Sequence, residues 1–159
     1  TMKVSGMTFL ILMGASTFSQ ILSVSGATSG LVNWATGLSL PPLGMLVLMF
    51  VVVLILGTLM DSLSIILLTV PIFFPLSKAL GYDPIWFGII MLMGLEMSLT
   101  TPPFGILLYI MLGVAPKGTT LLQVAGAAVP FLLCDLILVI LLVAFPMLAL
   151  YLPRLAQGP

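Results

Sequence analysis

Three carboxylates, Asp61, Glu96 and Asp135, lie inside long apolar runs, and four residues after Glu96 begins Thr100-Thr101-Pro102-Pro103-Phe104-Gly105. An ionised side chain at membrane depth is costly unless something offsets its charge, so each of these acids is a functional candidate by default. The four basic residues, Lys3, Lys78, Lys117 and Arg154, all fall in terminal or loop stretches. The acids are therefore left with a bound cation, a proton or a partner in another segment. A hard cation such as sodium takes oxygen ligands, and an interrupted helix supplies them as free carbonyls at the C-terminal end of one half. The N-terminal end of the other half favours an anion. The chemistry on offer is the joint binding of a cation and an anion.

The tandem prolines remove two backbone donors, clash with the preceding turn and drive Thr101 out of helical geometry, so a helix stops and restarts here. Hydrocarbon offers nothing to the freed groups, and such a break survives only in protein or against a polar cavity. Carbonyls near Ser98, Leu99 and Thr100 are the ones left free, with the Thr100 and Thr101 hydroxyls beside them. The alternative is a proline kink whose groups those two hydroxyls satisfy. A second polar interruption, Gly57-Thr58-Leu59-Met60-Asp61-Ser62, invites the same pair of readings. Asp61, beside Ser62 and Ser64, either holds a cation or caps the helix that follows, and the two roles are compatible. Glu96 shares a helical face with Thr100, which aims it at the break if that face is buried; otherwise it is a solvated or interfacial acid. Asp135 is expected to make a hydrogen bond between helices. The candidate ion-binding and substrate-binding set is Gly57, Asp61, Ser62, Ser98, Thr100, Thr101, Pro102, Pro103 and Gly105, with Asp61, Thr100 and Thr101 as sodium ligands.

The elements that must position this set are membrane helices, because 62% of the chain is hydrophobic and only 5% charged. The fold class expected is all-α integral membrane, polytopic, with a re-entrant helical hairpin and a broken transmembrane helix in one membrane domain over residues 1–159. A first helix covers about 4–25, ended by Gly26, Ser29 and Gly30. Its small residues, Ser5, Gly6, Gly14, Ala15, Ser16 and Ser19, suit close helix packing. Residues 31–38 are too short to span and carry Trp34, which suits a water interface. The run from Pro41 to Pro75 would be about 50 Å long as one helix, beyond a hydrocarbon core of about 30 Å. It is therefore read as a hairpin over 41–77 with arms of about 44–57 and 62–74. After the polar turn from Lys78 to Asp83, Pro84 opens the broken helix, 84–114. A last helix, 119–150, is bent at Pro130 and Pro146 and ended at an interface by Tyr151, Pro153 and Arg154.

Composition also excludes classes. With no histidine and zero net charge, neither a histidine metal site nor a nucleic-acid footprint can be assembled. Cys134 reads as a small buried hydrophobe. No enzyme and no cofactor is expected, only a coupling ion. Lys3 before an apolar run mimics a signal peptide, but the apolar character continues past Ser16 to Val24, which suits a membrane helix. Thr1 precedes Met2, so a piece of a longer chain is expected.

Gly57, Asp61, Pro71-Ile72 and Pro75, then the run from Gly81-Tyr82-Asp83-Pro84 to Ile90, Thr101-Pro102-Pro103-Phe104-Gly105, Gly113-Val114-Ala115-Pro116 and Val129-Pro130-Phe131 together carry a resemblance. From about Gly57 to Pro153 the chain resembles the C-terminal half of the large membrane subunit of tripartite ATP-independent periplasmic (TRAP) transporters. The resemblance implies one of two inverted repeats of an elevator-type carrier in the bacterial inner membrane. It implies sodium-coupled uptake of organic acid anions, C4-dicarboxylates or related carboxylates, delivered by a periplasmic substrate-binding protein. A small TRAP membrane subunit and the lipid bilayer are the other partners. Gly57 to Ser62 would form the second hairpin tip and Thr100 to Gly105 the second break. The chain departs at Gly94, where the family often has Asn, and nothing in it corresponds to the first repeat. Two other readings stand beside this one: a membrane scaffold or assembly subunit without its own transport site, and a sodium-coupled anion carrier of another family.

Overall fold

A computed structural model describes residues 2–38, 40–101 and 105–157. Among them are eight α-helices and no strand: α1 (Met2–Val24), α2 (Ala27–Gly37), α3 (Pro42–Gly57), α4 (Ser62–Ala79), α5 (Pro84–Thr100), α6 (Ile106–Val114), α7 (Leu121–Ala144) and α8 (Met147–Gln157). Pro102, Pro103 and Phe104 lie outside the described residues.

Local chemistry sets most of the boundaries. Gly26, at φ 72°, turns the chain out of α1, a conformation in which glycine carries no Cβ penalty. The helix that follows starts at Ala27 and takes in Ser29 and Gly30, which therefore do not serve as terminators as expected. Pro42 occupies the first turn of α3, where a missing amide costs nothing. Asp83 caps α5, accepting from the amides of Ile85 at 2.9 Å and Trp86 at 3.2 Å. Thr120 and Gln123 close a reciprocal capping box on α7.

Three expected helix boundaries are corrected. The second hairpin arm does not stop near Phe74. It continues through Pro71 and Pro75 to Ala79, where the Lys78 ammonium lies 4.8 Å from the centre of the Phe74 ring. The last helix is not one bent rod. Phe145 leaves the helical region at φ −126°, ψ 76°, as residues before proline tend to, and the chain restarts as α8. That helix runs through Pro153 to Gln157, so Pro153 does not end it.

The core is built around α5. Phe87, Ile90 and Met97 of α5 pack with Met45, Leu46, Met49 and Phe50 of α3 on one side, and with Val139 and Leu142 of α7 on the other. Trp86 of α5, Ala149 and Leu150 of α8, Leu76 of α4 and Ala35 of α2 complete the cluster. A smaller cluster, Val53, Ile65 and Leu95, joins α3, α4 and α5 nearer the hairpin turn. Gly94 faces this layer: a methyl group placed on it would lie 3.0 Å from the Phe50 ring and 3.5 Å from Val53. The space that a longer residue would use at position 94 is filled by Phe50.

At the opposite end of α5 the Tyr82 hydroxyl donates to the Pro42 carbonyl, and its ring stacks on Phe87 and meets Trp86 edge-on. Partial burial pushes the Tyr82 phenol pKa up. Large apolar side chains cover much of the outside, among them Phe9, Leu10, Ile55, Leu122, Phe131 and Ile140. Cys134 is also exposed rather than buried. By length and composition, α4 and α7 are apolar enough to cross a membrane. A methyl group placed on Gly6 or Gly14 would meet no described residue within 4 Å, so among the described residues no helix is seated tightly on either glycine.

Candidate ion and anion site

The turn between α3 and α4 and the end of α5 meet at a single tight point. Gly57 ends α3 and is buried. A methyl group placed on it would lie 1.9 Å from Ser98 Oγ and 2.2 Å from Ser98 Cβ. No L residue other than glycine fits without displacing α5. Ser98 is fully buried, and its hydroxyl donates to the Leu95 carbonyl at 2.6 Å, so the side chain is held against the glycine rather than free to swing away.

Beyond Gly57 the turn is closed by local bonds. The Thr58 hydroxyl donates to the Ile55 carbonyl at 2.7 Å, and the Leu59 and Met60 amides donate to the Leu56 carbonyl. Asp61 then caps α4. One carboxylate oxygen accepts from the Ser64 amide at 3.1 Å and the other from the Ser64 hydroxyl at 2.6 Å. The capping role is therefore present, in an exposed position. Ser62, the first residue of α4, is half-buried.

The break is equally explicit. Thr101 is extended, at φ −87°, ψ 124°, and its amide reaches back to the Ser98 carbonyl at 3.3 Å. Ser98 is thus not left as free as expected. The helical partner of the Leu99 carbonyl would be the amide of residue 103, a proline, and that carbonyl bears on Gly105: a methyl group there would lie 2.6 Å from Leu99 O and 2.9 Å from Thr101 O. Gly105 donates its amide to the Thr101 carbonyl at 3.2 Å and starts α6 without a side-chain cap. The threonine hydroxyls turn inward: Thr100 and Thr101 both donate to the Met97 carbonyl, at 3.0 and 2.6 Å. Each hydroxyl oxygen keeps lone pairs.

The structure thus brings Gly57 to Ser98 and sets both beside the α5–α6 break. A cleft of about 190 Å³ lined by Gly57, Thr58, Leu59, Met60 and Ile106 runs from the turn to the first residue of α6. It does not join the other acids to this place. Glu96 is exposed, with its neighbours Leu95 and Met97 buried, so the face it shares with Thr100 is not the buried one. Asp135 is half-buried on α7 and makes no hydrogen bond to another helix among the described residues. No three His, Cys, Asp or Glu side chains converge among the described residues, so a cation here would rely on carbonyls and hydroxyls. Ile106 is absent from the candidates that the sequence offers, and Thr58 enters only as part of the Gly57 to Ser62 stretch. Their adjacency to Gly105 and Gly57 is the available signal.

The sequence model of the "Tripartite ATP-independent periplasmic transporter, DctM component" matches residues 1–148. The chain belongs to this DctM family. It is 36% identical over 154 residues to the C4-dicarboxylate TRAP transporter large permease protein DctM of Pseudomonas aeruginosa, covering 96% of this chain and 35% of that protein. It is 33% identical over 159 residues to the sialic acid TRAP transporter large permease protein SiaM of Vibrio cholerae, covering 99% and 36%. It is 31% identical over 144 residues to the isethionate TRAP transporter permease protein DctMQ of Oleidesulfovibrio alaskensis, covering 90% and 23%. The chain spans about a third of the length of the first two relatives. DctM relatives are thus transporter permeases whose names carry different anions on a related sequence.

Proposed function

We propose that this DctM-family chain is one repeat of an elevator-type permease that carries organic acid anions, C4-dicarboxylates or related carboxylates, across the bacterial inner membrane. Uptake is driven by a sodium gradient. A periplasmic binding protein delivers the substrate and a small TRAP membrane subunit completes the permease. The observation that carries this reading is the meeting of Gly57 with Ser98, which sets a helical turn and a helix break against each other.

Helix lengths support a re-entrant hairpin. With 16 residues, α3 is about 24 Å long, short of a core of about 30 Å, while α4, at 18 residues, sits at the lower limit of a span. A turn reached by an arm as short as α3 lies inside the membrane, where Asp61 and the carbonyls around Leu99 become ligands for a hard cation. Thr100, Thr101 and Ser62 add hydroxyl oxygens. Pro102 and Pro103 keep the break open and Gly105 lets the chain pass the Leu99 carbonyl. The uncapped start of α6 offers amides to an anion.

One observation favours a second reading, in which turn and break only pack a scaffold subunit. Asp61 is already engaged by Ser64, and both threonine hydroxyls by Met97. Uptake by the complete permease, reconstituted with its binding protein, separates the two. Transport-site function is expected to give accumulation that requires an inward sodium gradient and is lost in Asp61→Asn. Uptake that ignores both sodium and Asp61 contradicts it.

A further inference from the structure

Trp86 stands in the first turn of α5, and its indole Nε1–H donates to the Leu142 carbonyl at 2.7 Å in a buried setting. In an unbroken helix that carbonyl would accept from the amide of residue 146. Residue 146 is proline and has no amide proton. The carbonyl is therefore orphaned at the point where α7 ends, Phe145 turns out and α8 begins at Met147. A buried acceptor without a donor is destabilising, and the indole supplies the donor from a different helix.

We infer that Trp86 is a positioning residue: its indole N–H replaces the amide that Pro146 lacks and keys the first turn of α5 to the α7–α8 elbow. The surroundings fit a fixed joint. Trp86, Phe87, Val139, Leu142, Ala149 and Leu150 share one buried cluster, and Tyr82 packs edge-on to the indole at 5.7 Å while bonding to Pro42 at the start of α3. One end of α5 is thus held from α3 and from α7–α8. Its other end carries Ser98 and Thr100, about 18 Å away along a stiff helix. Anchoring the first turn sets the tilt with which Ser98 meets Gly57. This consequence rests on the ion-site reading above, whereas the bond itself does not.

The test is a double-mutant cycle in the complete permease with Trp86→Phe, Pro146→Ala and their combination. Phe keeps the ring and removes the donor; Ala at 146 restores the amide that Leu142 needs. Trp86→Phe is expected to lower the melting temperature by a few degrees with Pro146 present, and by less than half as much with Ala at 146. Equal drops in both backgrounds, or no drop in either, would overturn the inference. Should Pro146→Ala fail to fold, benzothienylalanine placed at position 86 removes only the N–H. A parental melting temperature would then overturn the bond's role, and a drop matching Trp86→Phe would support it.

Sodium-dependent stabilisation supplies the second readout. The half-saturating sodium concentration is expected to rise about threefold in Trp86→Phe and to recover in the double variant. A stability loss with unchanged sodium response contradicts positioning. Absence of any sodium response in the parent would instead overturn the ion-site reading and leave the stability cycle to decide the bond.

Discussion

Gly57 and Ser98 touch so closely that a methyl group on Gly57 would lie 1.9 Å from the Ser98 hydroxyl oxygen. The residue that ends α3 is therefore fitted to the last turn of α5 before the break.

A substitution at this contact has a clear sign. Gly57→Ala is expected to destabilise the permease by about 1–3 kcal/mol, the usual cost of forcing volume into a packed core, because the Ser98 side chain is held by Leu95. Ser98→Gly removes both clashing atoms, and the double variant is expected to recover most of the loss, less about 1 kcal/mol for glycine near a helix end. Thermal denaturation of the four proteins measures the coupling. Additive losses would show that the two residues do not bear on each other.

Asp61 separates capping from ion binding. Asp61→Ala removes the acceptor for the Ser64 amide and hydroxyl and is expected to cost about 1 kcal/mol in stability. Asp61→Asn keeps an acceptor oxygen and loses the charge, so its stability without sodium is expected to stay close to the parent's. Its sodium-dependent stabilisation is expected to shrink, since a ligand stabilises only as far as it binds the folded state. An Asp61→Asn variant with the parental sodium response would leave Asp61 as a cap alone.

The layer below the site makes a third expectation. Gly94→Asn places an amide where the Phe50 ring lies, so a loss of about 1–3 kcal/mol is expected from overpacking and an unpaired polar group. Gly94→Asn combined with Phe50→Ala opens room and should recover part of it. Melting temperatures check both, and an undisturbed single variant would mean that Phe50 moves aside freely.

How much of this was legible in sequence depends on whether the determinant was local. Pro84 behind Asp83 marks a helix start because cap and proline act within one turn, and the tandem prolines mark an interruption because they remove amides whatever surrounds them. The end of α4 was missed because Pro71 and Pro75 are tolerated in a helix that neighbouring elements support, which sequence spacing does not reveal. The split at Pro146 is not legible locally, because the donor that satisfies the Leu142 carbonyl and lets the helix end there is Trp86, 56 residues away. At the candidate site, Asp61 as a cap and the inward turn of the Thr100 and Thr101 hydroxyls were each open as alternatives. Choosing among them required the placement of Ser64 and Met97. The Gly57–Ser98 contact has no sequence signature beyond a glycine and a small residue.

The most direct test of a functional break is the sodium-dependent rise in melting temperature of the complete permease carrying Pro102→Ala and Pro103→Ala. Restored amides can close the helix over the Leu99 carbonyl and its neighbours, removing ligands without adding bulk. The expected result is a protein that inserts normally and is at least as stable as the parent without sodium, with a clearly smaller rise at the same sodium concentration. A rise equal to the parent's would contradict the claim that the break between α5 and α6 is where the ion binds.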